Sequence, residues 1–331
     1  MDERTKFRAD VLAVYGAGRQ ETEELLRYNE NVFDRGQISS MKFPLADEPF
    51  VACWEGYIQE VEREGTVRAL EKYLIQLCFP VRAGMSKDSS YIAATTMGAE
   101  PPPAAATGLG LHAPEHCSVT LYPTPAGRIP MIVTAVRDDF VLLVWALTRR
   151  NEPFPLPDSM GACMVAGYRN WHRIHMISSS SGQEAPFDPF SVQLQHRLRD
   201  KSAYQDRFII LSNGYYSGVS PAEIGLPDEK WRQLSVLIRR EHECAHYFTR
   251  RVFASMRNNL IDEIIADYCG IVAAQGFFRS DWMLRFLGLE HFPAYRTGAR
   301  LENYRGTPTL SPAAFQVLQR LVKQAAENLE V

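Results

Sequence analysis

The chain has 331 residues, with 36 Lys and Arg against 39 Asp and Glu and a formal net charge of -3. This near-balance argues against a nucleic-acid or anionic-membrane partner, because both are held by a basic surplus. Apolar residues make up 46% and charged residues 23%, which excludes wholesale disorder.

The length predicts two domains, or one large domain with an elaboration. The leading MDERTKFRAD is charged and lacks an apolar core of signal-peptide length. The longest apolar runs, Ile129 to Val136 and Phe140 to Leu147, fall well short of the roughly 20 residues that span a bilayer. Six scattered cysteines without a CxxC pair read as reduced thiols, so the expected compartment is the cytoplasm.

Residues 1–80 read as mainly helical. Apolar residues recur at helical spacing from Ala9 to Tyr28, broken at Gly16-Ala17-Gly18. GAGRQE resembles part of a dinucleotide fingerprint, but no buried strand precedes it and the last glycine is missing, so it reads as a helix break. A second helical pattern runs from Phe50 to Val61, resumes after Gly65 and stops before Pro80. Residues 98–116 form a Pro/Ala/Gly-rich loop. The runs 117–122, 128–136 and 140–147 are rich in β-branched and aromatic residues and are joined by short connectors, which predicts a three-stranded antiparallel meander over 117–148. Met160 to Ile174 reads as a short apolar helix, and the Ser/Gly/Pro-rich stretch 178–189 as a domain boundary or mobile loop. Two domains, 1–180 and 190–331, are therefore expected.

The second of these begins with a short strand, Phe208 to Leu211, and a turn-rich Ser-Asn-Gly-Tyr-Tyr-Ser-Gly. A long helix is expected from Asp228, acting as its cap, to about Phe253; others are expected over 260–276, 281–289 and 311–329. The class is α+β: a helical N-terminal region, a central β-meander and a mostly helical C-terminal domain.

The chemistry concentrates in His242-Glu243-Cys244-Ala245-His246, an HExxH. Four residues apart on a helix, both imidazoles project from one face toward one point, which suits zinc with a third N or O ligand. Glu243 lies about 100° around the helix, placed to reach a water on the ion rather than to ligate it. Downstream, Glu263 and Asp267 stand one turn apart in an otherwise apolar helix, and Gly270 and Ala274 continue that face. Buried carboxylates need a cation or donors, and small residues let another helix approach closely. Glu263 then reads as the third ligand, with Asp267 bonded to the outer nitrogen of a ligand histidine.

This combination, HExxH followed by Glu263-Ile264-Ile265-Ala266-Asp267, resembles the gluzincin zinc metallopeptidases over about residues 228–277. The resemblance implies His242, His246 and Glu263 as ligands, Glu243 as general base and acid, and Asp267 behind them. The third histidine of the metzincin pattern is absent, and the 16 residues between His246 and Glu263 make a short connector. A donor for the developing oxyanion is expected from 291–296 or 300–305, with Tyr304 and His291 favoured. By analogy, the strand near 208–216 would pair with substrate backbone beside the metal helix.

The other clusters point elsewhere. Pro114 breaks the register that would align His112 and His116, so no second metal site is expected there. His172 and His175 read as capping residues at the end of a helix. Cys244 reads as a packing residue, and no serine sits in GxSxG. The expected activity is zinc-dependent hydrolysis of an amide bond in a peptide or peptide-like substrate. The alternatives are a Zn, Fe or Mn enzyme acting on a dedicated small pathway intermediate, and a degenerate zincin whose metal only braces two helices while the N-terminal half binds a partner. Oligomeric state is not legible.

Overall fold

The computed structural model describes residues 2–33, 38–179, 189, 191–255 and 259–330. The expected boundary or mobile loop at 178–189 therefore lies, but for three positions, outside the described residues. The chain forms two compact units: Met1–Lys42 with Tyr215–Val331, and Phe43–Gly214. This division differs from the expected 1–180 and 190–331, because the first 42 residues pack with the C-terminal helices.

Helix α1 (Glu3–Val14) starts at Asp2, whose carboxylate accepts the Thr5 amide at 2.7 Å. It breaks at Gly16, whose φ of 82° suits glycine, and α2 (Arg19–Tyr28) follows. Leu12, Leu25 and Tyr28 are buried in the core of the first unit.

The second unit opens with α3 (Val51–Glu64), α4 (Thr66–Glu71) and α5 (Ser89–Met97). Strand β1 (Cys117–Tyr122) pairs antiparallel with β2 (Ile129–Thr134), as expected for the first two arms of the meander. The third arm is not a strand. Residues Arg137–Thr148 form helix α6, with Asp138 and Asp139 in its first turn and Phe140, Leu143, Val144 and Leu147 buried at helical spacing. A run that is apolar on every side fits either period, and its acidic start was the signal for a helix. The opposite error occurs next. The expected helix over 160–174 is strand β3 (Ala162–Arg169), and helix α7 (Trp171–Ser179) starts only afterwards. His172 and His175 thus lie near the start and middle of α7, not at its C-terminal end. His172 Nδ1 lies 2.9 Å from the Tyr57 hydroxyl and His175 Nε2 3.1 Å from the Gly98 carbonyl.

After α8 (Val192–Arg197), strand β4 (Gln205–Ser212) completes a mixed sheet of order β1-β2-β4-β3, parallel to β2 and antiparallel to β3. The parallel pair is possible because the long excursion through α6 and β3 supplies the crossover. Trp54, Tyr57, Ile132, Phe140, Phe208 and Ile210 form the core of this unit.

The first unit resumes with α9 (Pro221–Ile224), α10 (Asp228–Phe253), α11 (Leu260–Gln275), α12 (Ser280–Leu287) and α13 (Pro312–Leu329). Asp228 is not the cap of α10: Pro227 holds that position, and the Asp228 carboxylate pairs with Arg232 and the Tyr215 hydroxyl. Helices α10 and α11 pack closely because Gly270 has no side chain, and a Cβ there would lie 2.7 Å from the Ile238 carbonyl oxygen. The fold is α+β, with helices at both ends of the chain and one small mixed sheet formed by its middle part. Among the described residues no helix is long and apolar enough to cross a membrane.

Candidate metal centre

Helix α10 carries His242 and His246 one turn apart on the face turned to α11, buried at 7% and 6% exposure. Helix α11 supplies Glu263 opposite them. The two Nε2 atoms lie 3.1 Å apart, and each lies 3.5 Å from a Glu263 carboxylate oxygen. His242 Nε2 faces Oε2 and His246 Nε2 faces Oε1. Metal bonds of about 2.0–2.2 Å in a tetrahedron put neighbouring ligand atoms about 3.3–3.5 Å apart, close to each of these separations. Glu263 Oε2 is buried and has no hydrogen-bond partner. A buried, unpartnered carboxylate oxygen facing an imidazole nitrogen, with a second imidazole beside it, is what a cation would satisfy. Among the described residues this is the one group of three that could hold a metal ion.

The nitrogens facing away from this point are treated differently. His242 Nδ1 donates to Asp267 Oδ1 at 3.0 Å, which leaves Nε2 free to ligate. The Tyr216 hydroxyl donates to the same oxygen at 2.6 Å and lies 3.0 Å from His242 Nδ1. Arg300 pairs with Asp267 Oδ2 and donates to the Tyr216 hydroxyl at 2.9 Å and to Ser217 Oγ at 3.0 Å. His246 Nδ1 is buried without a hydrogen bond, 3.8 Å from Asp262 Oδ2.

Charges follow this wiring. Burial alone would raise Asp267, but Arg300, His242 and Tyr216 outweigh it and hold its carboxyl down to about 2. Burial likewise opposes charge on His242, yet Asp267 and Glu263 raise its pKa. Burial and then the neighbouring His242 pull His246 down to about 3, leaving it neutral, the form that binds a metal. Glu243 is 9% exposed, and burial pushes its carboxyl up to about 7 against the pull of His242. Arg239, one turn before it on α10 and itself buried, is a further counter-charge.

The other expected residues separate. Tyr304 is brought near the cluster, beside Arg300 and Glu263; burial raises its pKa well above the usual tyrosine value. His291 is exposed in the turn after α12, and among the described residues no hydrogen bond or ion pair joins it to the cluster. The expected edge strand is not an edge. Strand β4 lies between β2 and β3, so the backbone groups of its paired residues are already used. His112 is tied to the α6 carboxylate Asp139 at 3.1 Å, and His116 faces Glu115 at 3.7 Å. Cys244 is buried, and burial pushes its thiol up, away from a nucleophilic thiolate.

Sequence reasoning missed Tyr216, Asp262 and Arg239 and did not single out Arg300. Tyr216 sat in a turn with no periodic pattern, and its partners lie 26, 51 and 84 positions away. Asp262, next to Glu263, was the one readable signal: two adjacent acids on an apolar helix cannot both be left without partners.

No curated protein and no solved structure matches the chain. A family model does, over residues 10–331, and the chain belongs to that family, DUF7005, a family of unknown function.

Proposed function

We propose that the protein is a metal-dependent hydrolase, with zinc held by His242, His246 and Glu263, that cleaves an amide bond in a peptide or peptide-like substrate. The observation that carries this reading is the convergence of two Nε2 atoms, 3.1 Å apart, on the Glu263 carboxylate, each 3.5 Å from one of its oxygens and with Oε2 unpartnered. It is supported by the resemblance of HExxH and the downstream Glu263 and Asp267 to the gluzincin pattern.

When bound, zinc polarises the substrate carbonyl and acidifies a water molecule. The remaining work falls to the chain. Asp267 keeps His242 Nδ1 protonated, so that Nε2 points inward. Glu243, adjacent to His242 on α10, accepts a proton from the attacking water. The water oxygen bonds to the carbonyl carbon, the carbon–nitrogen bond breaks, and Glu243 returns that proton to the leaving nitrogen.

Elemental analysis of protein purified without added metal, beside His246→Ala and Glu263→Ala, tests the site. Near one zinc per wild-type chain, lost in both variants, is expected; no metal even after reconstitution overturns the reading. Glu243→Gln is then expected to keep the zinc and to lower peptide turnover by about 10²–10⁴-fold. Retained turnover would remove Glu243 from the chemistry.

A second reading keeps the metal and changes the substrate to a small pathway intermediate. The burial of both histidines and Glu243 is the observation that favours it. Failure of a diverse peptide library with zinc-loaded protein would select it, and one iron per chain would select it together with iron chemistry.

A further inference from the structure

We propose that Arg300 is a positioning residue of the candidate metal centre, fixing Asp267 behind His242. This rests on the reading of His242, His246 and Glu263 as ligands, and on nothing about the reaction.

Arg300 opens a single 3₁₀ turn, Arg300–Tyr304.

The Arg300 guanidinium spans Asp267 Oδ2, the Tyr216 hydroxyl at 2.9 Å and Ser217 Oγ at 3.0 Å, with 10% of the side chain exposed. Tyr216 in turn donates to the other Asp267 oxygen, so both oxygens of that carboxylate are claimed and its plane is fixed. The turn that carries Arg300 is itself held: the backbone carbonyl of Tyr304 accepts the Tyr28 hydroxyl from α2, and Leu301 is fully buried in the core of the unit.

A histidine ligates well only when its ring is aimed, and the aim is set by the partner of its outer nitrogen. Asp267 supplies that partner, and Arg300 and Tyr216 remove the freedom Asp267 would otherwise have.

The test is zinc affinity of the whole chain by competition with a chromophoric chelator, together with the absorption spectrum of the cobalt(II) form and the melting temperature of the metal-free protein. Arg300→Met is expected to weaken zinc binding about 10–100-fold and to change the cobalt bands. It also leaves the buried Asp267 without its counter-charge, so its metal-free melting temperature should fall. Arg300→Lys keeps that charge but not the fork, and Tyr216→Phe removes one hydroxyl from the same carboxylate. Both should keep a metal-free melting temperature close to wild type, with Arg300→Lys weakening zinc binding less than Arg300→Met and Tyr216→Phe at the lower end of the same range. Folded variants that bind zinc within twofold of wild type, with an unchanged cobalt spectrum, overturn this inference and leave the metal site standing. A loss of affinity in Arg300→Lys and Tyr216→Phe matched by an equal loss of metal-free stability also overturns it. A wild type that binds neither zinc nor cobalt overturns both this inference and the proposed function.

Discussion

Asp206 in the second unit illustrates what a buried charge demands of its neighbours. Its carboxylate is fully buried and accepts from Trp54 Nε1 at 2.9 Å, Asn170 Nδ2 at 2.7 Å and Arg173 Nη1 at 2.6 Å. The same Asn170 amide reaches the Tyr57 hydroxyl at 3.1 Å. Arg173 is itself buried, so Asp206→Ala would strand a positive charge beneath the sheet. A loss of about 3–5 kcal/mol in unfolding free energy by denaturant titration is expected; a loss below about 1 kcal/mol would mean that water reaches Arg173. Nothing in the sequence marked this cluster, because its members lie up to 152 positions apart. The candidate metal cluster was legible for the opposite reason, since His242 and His246 share one turn and Glu263 and Asp267 another.

At the scale of elements, the helix pair α10–α11 was read correctly in type and nearly in extent, and so were α12 and α13. Their apolar residues recur at helical spacing and polar residues mark their ends. The errors fall on α6 and β3, both apolar segments whose period is ambiguous. The α10–α11 contact yields its own prediction. In an ordinary helix Gly→Ala is stabilising by about 1 kcal/mol. At Gly270 the added Cβ meets the Ile238 backbone oxygen at 2.7 Å, so one helix must move. Gly270→Ala should instead cost about 1–3 kcal/mol in thermal or chemical unfolding and weaken metal binding, because Glu263 and Asp267 ride on the displaced helix. A variant more stable than wild type would show that the two helices have room to spare.

At the scale of the molecule, the first unit is assembled from both ends of the chain. Tyr28 makes this concrete, with its ring among the buried core residues and its hydroxyl on the Tyr304 carbonyl. Residues long separated in sequence thus support one candidate metal centre, and metal binding is expected to report on the whole unit. Any ligand that binds only the folded form stabilises it, by about 4.1 kcal/mol at a free concentration 1,000 times its dissociation constant. Chelation is therefore expected to lower the melting temperature, and amide hydrogen exchange should increase most in α10 and α11. Equal melting temperatures with and without metal would show that occupancy and folding are not linked.

The sequence by itself determined the chemistry of the candidate site and the class of the fold. Local periodicity places His242, Glu243 and His246 on one helix and Glu263 and Asp267 on the next, and spacing along a helix is a property of a few consecutive residues. Tertiary structure alone decided which groups stand behind those ligands, that β4 is a central strand, and that the first 42 residues join the C-terminal helices. Each of these depends on contacts between residues far apart in the chain. Such contacts are fixed by burial and by the pairing of buried polar groups, and these leave no local pattern to read.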